Sequence, residues 1–213
     1  MHTTKSRLVQ HAHWLVLFVC VVGFLALAGI VLSKPSLRLD VAVDQLLSSC
    51  LPSDIARPFA IGITHLAGTI AMVALAIILL VLIKNKRIGA SIAFNIALAA
   101  LINLLLKSIF QRPRPEGLWL VDASGYSFPS GHSMAAMACY GYLIYLVFRY
   151  VDNKTYRIIL TVGLSVLIVL VGLSRIYLGV HYASDVLGGF LVSLAYLIVY
   201  TNVVKRFLPA GRH

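Results

Sequence analysis

Residues 14–32 read WLVLFVCVVGFLALAGIVL, nineteen positions without a charged side chain. A helix of that length rises about 28 Å, close to the roughly 30 Å of a bilayer's hydrocarbon core. Five more apolar stretches follow, at 59–83, 89–110, 133–150, 156–173 and 182–204. Lipid offers the backbone no hydrogen bonds, so each stretch is expected to be a helix, and the ten-residue alternation of a membrane barrel is absent. The chain therefore reads as all-α and polytopic, with six transmembrane helices in one membrane-embedded domain, residues 1–213. The fifth stretch is short and is expected to extend toward Tyr177. The first resembles a signal peptide, but no cleavage site follows it, so it is expected to stay as a span.

Composition agrees. Sixty per cent of the 213 residues are hydrophobic and 12% charged. A soluble domain carries about twice that charged share. The net charge of +11 does not mark a nucleic-acid binder, because the cations sit in short connections rather than along a basic stripe. Lys5, Arg7, Lys84, Lys86, Arg87, Arg149, Lys154, Arg157, Lys205, Arg206 and Arg212 fall on one side of the predicted spans. Lys34, Arg38, Arg57, Lys107, Arg112, Arg114 and Arg175 fall on the other, in longer segments. The positive-inside rule then puts both termini in the cytoplasm. Between the first two spans, residues 33–58 carry Leu37, Leu39, Val41, Val43, Leu46 and Leu47 among Arg38, Asp40, Asp44 and Gln45. Part of that segment is expected to form a short amphipathic helix at the outer interface, the alternative being a plain surface loop. Pro52 and Pro58 are expected to punctuate the approach to the second span. Cys20, Cys50 and Cys139 have no metal or redox spacing.

Three polar clusters lie in the outward segments. The first, from Lys107 to Pro115, ends the third span. Taken alone it suits a helix C-terminus or lipid headgroups. Lys107 and Arg114 could equally converge on a phosphate, one as a point charge and one as a bidentate fork. The second cluster, Tyr126 to Ser133, opens the fourth span. Ser130 is suited to cap it, Gly131 to let a ligand approach, and the free N–H groups with His132 to meet an anion. A capping turn with an incidental histidine is its plainer reading. The third, Ser174 to Asp185, joins the fifth span to the sixth. Here His181 and Asp185, four residues apart, share a helix face if the sixth helix has already begun at His181. A carboxylate beside an imidazole fixes its tautomer and favours the imidazolium that develops on attack. Asp185 also opens an apolar span, an expensive place for a charge without a partner. Together the clusters supply cations, helix-start donors and two histidines, the parts that phosphoryl transfer needs.

These residues carry a resemblance to a known family. Lys107, six residues, then Arg114-Pro115; Pro129-Ser130-Gly131-His132; and Ser174-Arg175, five residues, His181, three residues, Asp185 are similar to the three motifs of the type 2 phosphatidic acid phosphatase superfamily, which also contains vanadium haloperoxidases and bacterial acid phosphatases. The six-span layout extends the resemblance over most of the chain. It implies a membrane lipid phosphate phosphatase acting through a phosphohistidine, with water as second substrate. His181 would be the nucleophile, Asp185 its orienting partner and His132 the acid for the leaving group. Lys107, Arg114, Arg175, Ser130 and Gly131 would bind the phosphate. No cofactor, metal, nucleic acid or obligate protein partner is implied. Within the membrane-bound bacterial branch the implied substrate is phosphatidylglycerol phosphate, with undecaprenyl pyrophosphate or phosphatidic acid as alternatives. The implied setting is the inner (plasma) membrane, with the site on the extracytoplasmic face. Two other readings stay open. His132, His181 and Asp185 could hold a metal, although three nearby cations oppose one. A phosphate-lipid transporter would need a polar route through the spans, for which Thr64, His65, Thr69, Asn95 and Asn103 are the sparse candidates.

Overall fold

The computed structural model describes residues 2–34, 36–51, 53–117 and 119–211, with side-chain surroundings from residue 12 onward. The described residues form eight helices: α1 (His2–Ser33), α2 (Arg38–Cys50), α3 (Ser53–His65), α4 (Thr69–Leu82), α5 (Lys86–Phe110), α6 (Gly131–Tyr150), α7 (Lys154–Tyr177) and α8 (Ala183–Val204). Starts follow local chemistry. The Asn85 side chain accepts from the Arg87 N–H at 3.1 Å, and Asn153 accepts from Thr155 and Tyr156 at 2.9 and 3.1 Å, so each caps a helix whose first N–H groups have no intrahelical acceptor.

Five helices are long and apolar enough to cross a membrane: residues Ala12–Ser33 of α1, and α5, α6, α7 and α8. The expected second span departs from a straight helix. It is the pair α3 and α4, bent by 47°, and counting the pair as one span gives six. The break falls at Leu66-Ala67-Gly68, where the N–H of Gly68 turns back to the His65 carbonyl at 3.1 Å. Pro58 stands inside α3 rather than before a span, and Pro52 lies outside the described residues. The 33–58 segment does form a helix, α2.

Helix α6 is the hub, packed against α5, α7 and α8; α1 lies on α8, α4 on α5 and α3 on α7. Small buried residues of α6, among them Ala136, Ala138 and Cys139, allow this close approach. The rim is apolar: Leu15, Phe18, Ile70, Val81, Leu104 and Ile159 are all exposed. An apolar exterior this extensive is satisfied by lipid rather than water. At one end, Phe24, Phe110 and Phe128 stack edge and face and seat the loop that leads into α6. Gly188 of α8 lies under that loop, and a Cβ there would stand 2.5 Å from the Phe128 ring. Glycine at this position lets the loop and α8 close on each other.

Candidate active site

The C-terminal ends of α5 and α7, the N-terminal ends of α6 and α8, and the α3–α4 break meet at one end of the bundle. All eight residues singled out from the sequence stand there. Asp185 is fully buried. It pairs with His181 as the spacing predicts, but not across a helix face, because α8 begins only at Ala183. Instead Asp185, in the first turn, reaches back over its own helix start. Its Oδ2 accepts from the Tyr182 N–H at 2.8 Å and from the Ser127 hydroxyl, and lies 3.4 Å from His181 Nδ1. The Ser127 hydroxyl is also 3.4 Å from Nδ1. With Nδ1 on the carboxylate side, the lone pair of a neutral imidazole falls at Nε2. That atom is 3.3 Å from Arg114 Nη1. The imidazole is pushed down to about 4, first by burial and then by Arg175 and Arg114, against the opposing pull of Asp185. It is therefore neutral at physiological pH.

The cations are held by backbone carbonyls. Arg114 donates to Val180 at 2.7 Å, Gly125 at 3.0 Å and Ser124 at 2.7 Å. Lys107 Nζ donates to the Tyr126 carbonyl at 2.6 Å and lies close enough to Arg114 and Arg175 to feel both charges. Arg175 crosses from α7 to the Thr64 hydroxyl beside the α3–α4 break, at 2.8 Å. Its buried Nε has no hydrogen-bond partner among the described residues. A buried guanidinium donor without an acceptor is costly unless something else supplies one. An anionic ligand would do so.

Ser130 caps α6 through its hydroxyl, as its position before the span predicts. Its own N–H is committed to the Asp185 carbonyl at 3.0 Å, so the free helix-start donors narrow to Gly131 and His132. A side chain at Gly131 would crowd Asn103 at 3.0 Å. His132 is half-buried on the same turn. Its Nε2 lies 3.8 Å from where a Gly68 side chain would begin, so the bend in the second span forms the wall beside it. Beside Ser174, an apolar groove of about 590 Å³ runs between α2, α3 and α7, lined by Leu46, Leu47, Phe59, Ile63, Leu173 and Tyr177 among others.

Sequence reasoning missed three participants. Arg112, Asp40 and Ser127 are buried around Asp185. Arg112 sits inside the first cluster, and Ser127 inside the second, but Asp40 belongs to α2, where nothing in the sequence separates a buried Asp40 from Asp44 one turn on. Counted together, the four cations Lys107, Arg112, Arg114 and Arg175 outnumber the two buried carboxylates Asp185 and Asp40, which leaves two positive charges over with the histidines neutral. That surplus suits a dianionic phosphate.

An excess of guanidinium and ammonium groups around a carboxylate-braced imidazole, at the end of an apolar bundle, is an arrangement suited to phosphoryl transfer in a membrane protein. Residues 88–209, more than half of the chain, match the PAP2 superfamily, and the chain belongs to that family as a lipid phosphate phosphatase. Phosphatidylglycerophosphatase B of Bacillus subtilis is 34% identical to it over 154 residues, 68% of this chain and 75% of its own length. Human dolichyldiphosphatase 1 is 29% identical over 160 residues, 69% of this chain and 67% of its own. The crystal structure of a transmembrane PAP2-type phosphatidylglycerolphosphate phosphatase from Bacillus subtilis superposes with a TM-score of 0.78 at 27% identity, covering 90% of this chain and 97% of that one. Aquifex aeolicus LpxE shares the fold, with a TM-score of 0.61 at 22% identity over 80% of this chain and 96% of its own.

Proposed function

We propose that the chain, as a single membrane-embedded domain of residues 1–213, removes the terminal phosphate of phosphatidylglycerol phosphate at the extracytoplasmic face of the inner (plasma) membrane. The observation that carries the mechanism is the His181 ring, whose Nδ1 lies on the Asp185 side while Nε2 lies beside Arg114. His181 Nε2 attacks phosphorus as the bond to the lipid alcohol breaks. His132, neutral beside the cations alone, takes up a proton when the phosphate anion binds next to it and gives that proton to the leaving oxygen. Lys107, Arg114, Arg175 and the Gly131 N–H hold the equatorial oxygens, with Ser130 setting the helix start. Asp185 accepts the Nδ1 proton in a hydrogen bond and stabilises the positive charge on the ring. Water then attacks the phosphohistidine, His132 takes its proton, the P–N bond breaks, and inorganic phosphate leaves. No metal, cofactor or partner protein has a part in these steps.

The bilayer setting and the likeness to a Bacillus subtilis phosphatidylglycerophosphatase in both sequence and structure support a phosphate on a membrane-held tail. The apolar groove that reaches Ser174, one residue before Arg175, offers such a tail a path. The human relative's name supports a second reading, a polyprenyl diphosphate such as undecaprenyl pyrophosphate. The excess of Lys and Arg in the connections on the opposite side supports the orientation. Phosphate release by pure, chelator-treated protein should be fastest with phosphatidylglycerol phosphate in a panel that includes phosphatidic acid and long and short prenyl diphosphates. A preference for the long prenyl diphosphate selects the second reading, and equal turnover of a soluble sugar phosphate contradicts both. A cysteine introduced at position 122 should react with an impermeant reagent on intact cells, and one at position 86 should not; the reverse pattern inverts the orientation.

A further inference from the structure

The phosphate clamp leaves one guanidinium of the cluster with another task. Arg112 is buried behind Asp185, with its charge 4.0 Å from the centre of the Tyr182 ring. Its Nη1 donates to Asp185 Oδ1 at 2.6 Å and to the Ser184 hydroxyl at 2.8 Å. Its Nη2 donates to Asp40 Oδ2 at 3.1 Å. Asp40 is buried too, and accepts from the Leu37 and Ser184 N–H groups at 2.9 and 2.8 Å. One arginine thus bridges two buried carboxylates, one from α2 and one from α8.

An arginine facing a single carboxylate tends to take both of its oxygens in a fork. Here Asp40 occupies the second arm of Arg112. Asp185 therefore gives Arg112 only Oδ1 and keeps Oδ2 for Ser127, the Tyr182 N–H and His181. The charge count acts in the same direction. One guanidinium against two carboxylates leaves a net negative charge behind the imidazole, which favours the positive charge that the ring gains as the P–N bond forms.

We propose that Asp40 and Arg112 are positioning residues of the reaction: Asp40 holds one arm of Arg112 so that Asp185 Oδ2 stays committed to His181. The proposal rests on His181 as nucleophile. Asp40→Asn keeps the shape and one acceptor but loses the charge that holds Arg112. It should lower kcat and the rate of phosphohistidine formation roughly 10–100-fold, with KM within about threefold of wild type. The double variant Asp40→Asn/Arg112→Gln removes one charge of each sign and leaves no orphan from the pair. It should still unfold in a cooperative transition in detergent and remain slow. Wild-type kcat in either variant overturns the proposal. Failure of both to fold assigns the pair to folding and overturns it as well. Absence of phosphohistidine in the wild-type protein sinks the reading of His181 itself, a different failure from these.

Discussion

His181 Nδ1 lies 3.4 Å from Asp185 Oδ2, and the carboxylate reaches it from the first turn of α8, across the cap residue Tyr182. The carboxylate is thus positioned by helix capping as well as by its own ion pair. Asp185→Asn should keep the fold, because an amide oxygen can still accept the Tyr182 N–H, yet kcat should fall about 10²–10⁴-fold, as in other carboxylate–histidine pairs. Steady-state rates beside a thermal unfolding curve check this. A fall under tenfold would remove Asp185 from the mechanism.

His132 stands on the first turn of α6 beside the bend of the second span. As proton donor to the leaving oxygen it matters most when that oxygen is a poor leaving group. His132→Ala should slow phosphohistidine formation about 10²–10⁴-fold with an alkyl phosphate. With an aryl phosphate of low leaving-group pKa the loss should be much smaller. Equal losses with both would argue that His132 binds phosphate without moving a proton.

The buried His181 sets the sign of an acid effect on stability. In the unfolded chain its imidazole takes a proton near the ordinary 6.5, while in the folded protein it stays neutral down to about 4. The unfolded state therefore binds more protons between these values, and stability contributed by the neutral ring is lost as pH falls from about 6.5 to about 4. The unfolding temperature should drop across that window in wild type and drop less in His181→Gln. Identical slopes would contradict the burial argument.

Thr64 shows how the bend in the second span serves the site. Its hydroxyl is an acceptor for Arg175 in a buried setting, and a hydrogen bond to a charged group is worth about 1.5–3 kcal/mol. Thr64→Val keeps the volume and removes that acceptor. KM for a lipid phosphate should rise about tenfold or more if the free arginine no longer points at phosphate. An unchanged KM would place the Arg175 anchor elsewhere.

The spans were legible because lipid imposes one rule, uninterrupted apolar length, and α5 to α8 obey it within a few residues. The three clusters were legible because their spacing is local: Ser130 before α6 and Asp185 in the first turn of α8 are readable as helix-start chemistry. The bend at Leu66-Ala67-Gly68 was not: Thr64, His65, Gly68 and Thr69 interrupt the apolar run there, but a few such residues within a span do not by themselves announce a break. Nor was the Asp40–Arg112–Asp185 chain. Its members come from three separate segments, and nothing periodic along the sequence links an acid on α2 to an arginine after α5. Contacts of that kind arise only when the helices pack.

The central claim is that His181 carries the phosphoryl group. Rapid quenching of the enzyme with labelled lipid phosphate should trap an acid-labile phosphohistidine in wild type. The label should also form in His132→Ala with a substrate of good leaving group, and should be absent from His181→Ala with every substrate. Label that persists in His181→Ala and disappears in His132→Ala would reverse the two roles and contradict the account.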